Sequence, residues 1–174
     1  MDKEFDVKRY LDDLENRIDP ELETELLVQW RHFLTDGAAE QVFSPKRIPV
    51  APAKIEYPDI MVNDAINDPT FKSMLLGQLG GINSLISSKT GTVPAIRANY
   101  GCNIIPSMFG CKIHMMEKDL NTLPASLPLS GGTDMLRNCL AQGVPDIYAG
   151  QGKQVFDCVE YYIQSLRDYP RAPA

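Results

Sequence analysis

The sequence has few of the residues that most often hold metals or carry out nucleophilic catalysis. Among its 174 residues are two histidines, His32 and His114, and four cysteines with no C-x-x-C pair. A zinc site of the usual spacing is therefore not predicted, and only two histidines could serve as the base of a catalytic triad. We expect the cysteines to be buried thiols, because a chain of this length can form a core without disulfides.

Positive charge is also scarce, since 17 Lys and Arg face 23 Asp and Glu, for a net charge of −6. Such a protein has no positive field to attract phosphate backbones or anionic lipids, so neither nucleic acid nor membrane is predicted as a partner. No run approaches the roughly 18 apolar residues of a membrane span, and Met1 to Glu4 lacks the apolar part of a secretory signal. We expect a cytoplasmic protein.

Apolar residues at helical spacing predict two helices in the first 36 residues. Asp19 and Pro20 supply the cap and the first-turn proline of the second helix, and Gly37 is expected to end it. Residues 1–36 are therefore predicted to form an antiparallel helical hairpin that precedes the main domain.

Further helices are predicted after the cap at Asp68, around Ile105–Phe109, from Gly132, and from about Gly150. The helix after Asp68 contains three glycines, which weaken a helix and so indicate close packing or a break. These are Gly77, Gly80 and Gly81.

Two segments, Thr92–Tyr100 and Cys111–Met116, have the composition of β-strands. Strands that alternate with helices after a helical start indicate a parallel β/α architecture. These two strands, with one or two weaker ones, are too few for a covered sheet, so residues 37–174 are predicted to be the first part of a larger β/α domain with an open sheet edge.

Two segments have some of the residues that bind phosphate, but neither has a complete phosphate-binding motif. Ser87–Thr92 lacks the first glycine of a phosphate-binding loop, and Gly150–Gly152 lacks the third glycine of the dinucleotide fingerprint. Both are interpreted as ordinary caps and turns, with anion binding at a helix start as the alternative.

The densest set of candidate binding residues lies at the end of the first predicted strand. Arg97 and Asn99 are expected on one strand face, where they would present a carboxylate-binding fork beside an amide, and Tyr100 follows them. Ligands of parallel β/α folds bind beyond the carboxyl ends of strands. His114 in the second predicted strand shares a face with Lys112 and Met116 and is a further candidate for ligand binding or proton transfer. The alternative is a structural arginine, paired with a local acid, and an asparagine that satisfies the turn at Gly101.

The runs Val93–Gly110, Leu123–Leu129 and Gly143–Asp146 resemble the divergent branch of the uroporphyrinogen decarboxylase-like superfamily, which also contains corrinoid-dependent methyltransferases. The likeness extends from about Arg47 to Pro170. It implies that residues 37–174 are the first half of a TIM (β/α)8 barrel, with residues 1–36 as a helical extension.

Members of this superfamily act on tetrapyrrole carboxylates or pass methyl groups between a corrinoid and a thiol. The resemblance therefore makes corrinoid and zinc candidate cofactors, without ligands in this chain. Arg97, Asn99, Tyr100 and His114 are the residues predicted to bind the substrate. The zinc ligands of the methyltransferases belong to the C-terminal half of the barrel. No metal ligand and no catalytic residue is assigned in this chain, which by itself is expected to be inactive.

Two departures from the decarboxylases favour relatedness to methyl transfer. No arginine-rich segment follows Ile48–Val50, and Gly101 stands where the decarboxylases carry an aspartate. A tetrapyrrole decarboxylase relative is therefore the alternative, together with a non-catalytic module that associates through its open sheet edge. Because a closed barrel needs about 250 residues, we expect a second chain or a second copy to complete it.

Overall fold

The computed structural model describes residues 6–36 and 42–172, which form a mixed α/β structure that is mostly helical. Its strands are β1 (Ile113–His114) and β2 (Ala125–Ser126), and two short 3-10 turns lie at Gly101–Asn103 and Lys118–Leu120. The helices are α1 (Val7–Arg17), α2 (Pro20–Asp36), α3 (Val62–Asn67), α4 (Lys72–Ile86), α5 (Ile104–Met108), α6 (Gly132–Gln142) and α7 (Gly152–Leu166).

The chain divides into two compact units. The first contains the described residues of Met1–Asp59, Leu75–Ile96 and Ser165–Ala174, and the second contains Ile60–Met74 and Arg97–Gln164. No helix within the described ranges combines the length and the apolar character needed to cross a membrane.

The two helices predicted in the first 36 residues are confirmed for the described residues. Asp19 caps α2, since its Oδ1 accepts the amide of Glu21 at 3.0 Å and that of Leu22 at 3.3 Å. The predicted stop at Gly37 lies outside the described residues. The local cap chemistry that was visible in the sequence therefore sets the start of this helix.

A buried ion pair joins α2 to the irregular segment that follows it. The Arg47 guanidinium donates to both carboxylate oxygens of Glu23 and, at 3.0 Å, to the carbonyl of Thr92. Both residues are almost fully buried. Burying two charges is costly unless they are paired and hydrogen-bonded, so this geometry fixes where residues 45–50 run in the first unit.

The helix predicted after Asp68 is also confirmed, as α4. Asp68 caps it by accepting the amides of Thr70 and Ser73, each at 2.8 Å. The helix is continuous through its glycines, and a Cβ added at Gly80 or Gly81 would meet no atom within 4 Å. The expected break or close packing is therefore wrong at these two glycines, which lie beside open space.

The strand predicted over Thr92–Tyr100 is wrong. These residues have no regular secondary structure, and no described strand pairs with them. Pro94 removes one backbone donor, and a single bridge between Lys46 and Thr90 lies just before the segment. Strand-like composition does not form a strand here because the segment lacks a hydrogen-bonded neighbour.

The strand predicted over Cys111–Met116 is confirmed only at its centre. β1 pairs with β2 in antiparallel fashion, with Ile113 opposite Ser126 and His114 opposite Ala125. The prediction of a parallel sheet is therefore not met by the strands of the described residues. A short antiparallel pair needs only a loop between its strands, whereas a parallel pair needs a crossover helix.

Two glycine substitutions in the first unit should have opposite effects on stability. A Cβ at Gly91 would lie 2.5 Å from the carbonyl carbon and oxygen of Pro45. Gly91→Ala is expected to lower the free energy of unfolding by about 2 kcal/mol or more, because backbone must move.

The matched control is Gly80→Ala, which is expected to raise the free energy of unfolding by about 0.5–1 kcal/mol, because it fills an open helical position. Urea unfolding followed by circular dichroism measures both variants. Equal effects of the two substitutions would contradict the packing described at Gly91.

Candidate functional site

The candidate binding residues Arg97, Asn99 and Tyr100 lie in the second unit, at the end of the irregular segment. Arg97 is exposed, Asn99 is half-buried and Tyr100 has no exposed surface. Because the segment is not a strand, the argument that places Arg97 and Asn99 on one strand face does not apply. The structure instead has an exposed arginine three residues before a fully buried tyrosine.

A left-handed turn follows directly. Gly101 has φ +77°, a conformation that favours glycine, and a Cβ added there would lie 3.4 Å from the Cβ of Leu123. This turn brings the chain into the short 3-10 turn Gly101–Asn103 and then into α5. The left-handed backbone conformation therefore accounts for a glycine at position 101 without reference to a ligand.

The buried amide of Asn103 holds this turn in place, and sequence reasoning missed it. Its Nδ2 donates to the carbonyl of Pro124 at 2.6 Å and, more weakly, to that of Tyr100 at 3.4 Å. Its Oδ1 accepts from the Ser126 hydroxyl at 2.7 Å. Asparagine is common in exposed turns, so nothing in the sequence distinguishes this one as a buried anchor.

His114 lies on the hairpin to which Asn103 is attached. It is exposed on β1, Lys112 just before the strand is exposed too, and Ile113 between them is half-buried. The predicted strand face of Lys112, His114 and Met116 is met only in part, because Met116 is half-buried and lies outside β1. Ser126, which bonds to Asn103, is the strand partner of Ile113, so the hairpin and the turn after Arg97 form one hydrogen-bonded framework.

An interior cluster of phenols and a thiol lies behind Tyr100. Cys158 and Tyr162, one turn apart on α7, are buried, and the Cys158 thiol is 4.0 Å from the Met74 sulfur. Neither the Tyr100 nor the Tyr162 hydroxyl has a partner at normal hydrogen-bond geometry. Burial raises the pKa of Cys158 and, to well above the ordinary range, those of Tyr100 and Tyr162. The thiol is therefore protonated and enclosed, and is not a nucleophile.

The other three cysteines contradict the prediction that all four are buried thiols. Cys102 is exposed, and Cys111 and Cys139 are half-buried, so the prediction holds for Cys158 alone. All four are free thiols. Within residues 6–36 and 42–172, no group of three His, Cys, Asp or Glu side chains is placed to hold a metal ion.

The glycines at the start of α7 act in packing, as the interpretation of caps and turns predicts. A Cβ at Gly150 would lie 2.5 Å from the Ser107 backbone, and one at Gly152 would overlap the carbonyl of Ile147. The Gln151 amide donates to the Ser107 hydroxyl, and the Gly152 amide donates to the carbonyl of Ala149, each at 2.9 Å. These amides are already bonded, which does not support the alternative of an anion site.

Comparisons of the chain with protein-family models, with curated proteins and with solved structures found no match. The observations that bear on function therefore come from the geometry around Arg97, Asn103 and His114. Arg97 supplies an exposed cation and His114 an exposed imidazole, and the buried side chain of Asn103 connects the backbone segments next to them.

Removing the anchor and removing a nearby phenol hydroxyl should affect stability differently. Asn103→Ala is expected to lower the free energy of unfolding by about 2 kcal/mol or more, since it leaves the carbonyl of Pro124 buried without a donor. Tyr100→Phe is expected to leave it unchanged or slightly higher, because the hydroxyl that is lost has no partner. Chemical denaturation of the two variants checks this. A large loss in Tyr100→Phe would mean that its hydroxyl is bonded.

The buried thiol and phenols predict weakening at alkaline pH. Their folded-state pKa values are raised, so the unfolded chain releases these protons first, and the free energy of unfolding is expected to fall as pH rises above about 8.5. Denaturant titrations at neutral and alkaline pH measure the slope. Cys158→Ala should remove the fall in the free energy of unfolding that begins near the ordinary thiol pKa. The fall at higher pH, which is due to the tyrosines, should remain. A free energy independent of alkaline pH would contradict this assignment.

Proposed function

We propose that this chain forms part of a uroporphyrinogen decarboxylase-like TIM barrel related to corrinoid-dependent methyltransferases, and that it contributes to substrate binding. The observation that carries the proposal is the contrast between exposed Arg97 and the buried anchor of Tyr100 and Asn103. The anchor holds the backbone next to Arg97 in place, so this segment loses little backbone freedom when an acid binds.

The types of side chain fit the ligand class. The Arg97 guanidinium can receive a carboxylate or phosphate through two parallel hydrogen bonds, and the Asn99 amide can pair with an amide group. Corrinoids and tetrapyrroles carry acid and amide groups around their rings. Tyr100, which is buried, supports this segment from behind, and the exposed His114 is the group available for proton transfer.

Uncovered apolar surface in the second unit supports a barrel that other β/α elements complete. α6 and α7 carry large apolar side chains that are between 38% and 70% exposed, whereas helices of α/β domains bury such side chains against a sheet. They are Met135, Leu136, Leu140, Phe156, Val159 and Ile163. In this proposal, a second chain or a second copy supplies the missing strands.

The residues that the structure describes do not provide a zinc site. Their His, Cys, Asp and Glu side chains do not form a ligand set, so they do not fit the zinc of the methyltransferases, and no step is assigned to a metal. In this proposal the catalytic half of the barrel lies outside this chain, which alone is inactive. Corrinoid is proposed as a ligand that this chain binds through the residues around Arg97.

Decarboxylation of a tetrapyrrole is the second candidate. The decarboxylases carry an aspartate where this chain has Gly101, and the left-handed backbone there disfavours a residue with a Cβ by about 1–2 kcal/mol. The backbone at this point is thus adapted to glycine rather than to a catalytic acid. A non-catalytic module is the third candidate, and the exposed apolar surface of α6 and α7 is compatible with it.

Titration with cobalamin, followed by visible absorption, tests the proposal. The chain is expected to change the cobalamin spectrum saturably, and Arg97→Ala is expected to weaken this binding about tenfold while the melting temperature stays nearly the same. The matched control is Arg137→Ala on α6, another exposed arginine, which pairs with Asp134 and whose variant should bind cobalamin normally.

The alternatives give different outcomes in the same experiment. Binding of uroporphyrin, a tetrapyrrole polycarboxylate, without binding of cobalamin would favour the decarboxylase relationship. No binding of either compound would contradict both and leave the non-catalytic module, whose solution mass should then exceed that of one chain. A large fall in melting temperature in Arg97→Ala would assign this arginine a structural role instead.

A further inference from the structure

Helix α6 has one side chain, Cys139, that is more covered than the others. Every residue of Gly132–Gln142 is exposed except Cys139, which is half-buried. The Cys139 thiol points at the carbonyl of Phe109, with a sulfur–oxygen distance of 3.8 Å. A helix with no buried side chain has little apolar packing to hold it, so this contact marks where it meets its neighbours.

A second cysteine lies two residues beyond that contact. After α5 the chain turns at Gly110, where φ is +86°, and the amide of Cys111 bonds back to the carbonyl of Pro106 at 3.1 Å. This turn is fixed by the Gly110 amide as well, which donates to Ser107 at 3.0 Å. Cys111 is therefore held in a defined position near the end of α5, and it too is half-buried.

We propose that Cys111 and Cys139 form a reversible disulfide. Two residues span no more than about 7 Å of chain, so Cys111 must lie near the carbonyl that the Cys139 sulfur contacts. A disulfide needs Cα atoms about 4.4–6.8 Å apart. α6 has only exposed side chains on its other faces, and can therefore shift to meet this requirement without disturbing a core.

The other two cysteines differ in ways that make this pair selective. Cys158 has no exposed surface, so a reagent in solution cannot reach it in the folded chain. Cys102 is exposed. Cys111 and Cys139 combine partial access with a shared neighbour, the Phe109–Cys111 turn.

The oxidant in this proposal is a small-molecule disulfide such as oxidised glutathione. One protein thiolate attacks it, forming a mixed disulfide and releasing one glutathione thiolate, and the second protein thiolate then displaces the other. The protein loses two hydrogens as its thiols become a disulfide, and the small disulfide is reduced to two thiols that take up those protons. The bond would tether α6 to the end of α5, and a reducing thiol would release it.

The experiment incubates the intact chain with oxidised glutathione and maps its disulfides by mass spectrometry. We expect one intramolecular cross-link, between the peptides of Cys111 and Cys139, which dithiothreitol removes, and a glutathione adduct on Cys102. Amide hydrogen exchange in α6 is expected to slow about tenfold on oxidation, because the helix is tethered.

Three serine variants make the result decisive. Cys102→Ser should keep the cross-link, whereas Cys111→Ser and Cys139→Ser should lose it and carry glutathione on the remaining cysteine. A cross-link that includes Cys102, or glutathione adducts on both Cys111 and Cys139 in the unaltered chain, would overturn the proposal. This result is independent of whether the chain binds cobalamin.

Discussion

The second unit depends on the hydrogen bonds of one buried carboxamide. Asn103 satisfies the carbonyl of Pro124 and the hydroxyl of Ser126, and so attaches the turn after Arg97 to the β1–β2 hairpin. A buried amide must use both its donor and its acceptor, which allows few alternative arrangements of the backbone around it. With strands only two residues long, the ladder itself could not position these segments.

This anchor separates the chemistry at the surface from the packing beneath it. Arg97 and His114 are exposed, whereas Tyr100, Cys158 and Tyr162 form an interior in which the thiol and phenols are kept neutral by burial. The interior groups can therefore support the segment without competing for a charged ligand. In the proposed function, the surface groups receive the ligand and the interior only holds them in place.

The helices were predictable because their start signals are local. Asp19 and Asp68 cap the helices that follow them through contacts within five residues, so the sequence alone contains the whole interaction. Whether Thr92–Tyr100 forms a strand could not be predicted in this way. A strand exists only through a neighbour elsewhere in the chain, and the composition of one segment does not say whether that neighbour is there.

The candidate site was predictable only in part. Arg97 was identified by residue type and by its place near the end of the first predicted strand, and His114 by its place within the second, of which the structure keeps only the centre. The anchor at Asn103 was missed, since its partners Pro124 and Ser126 are more than twenty residues away in sequence. The different exposures of the four cysteines were missed for the same reason.

The sequence by itself determined the helix starts, the acidic charge balance and the residues available for binding, because each depends on composition or on neighbours a few positions apart. Only the tertiary structure decided which polar groups are buried, which glycines are in tight contact and which segments pair. Those properties depend on atoms brought together from distant parts of the chain, such as Gly91 against Pro45 and Cys139 against Phe109. Burial and pairing are properties of the folded arrangement, and no single segment carries them.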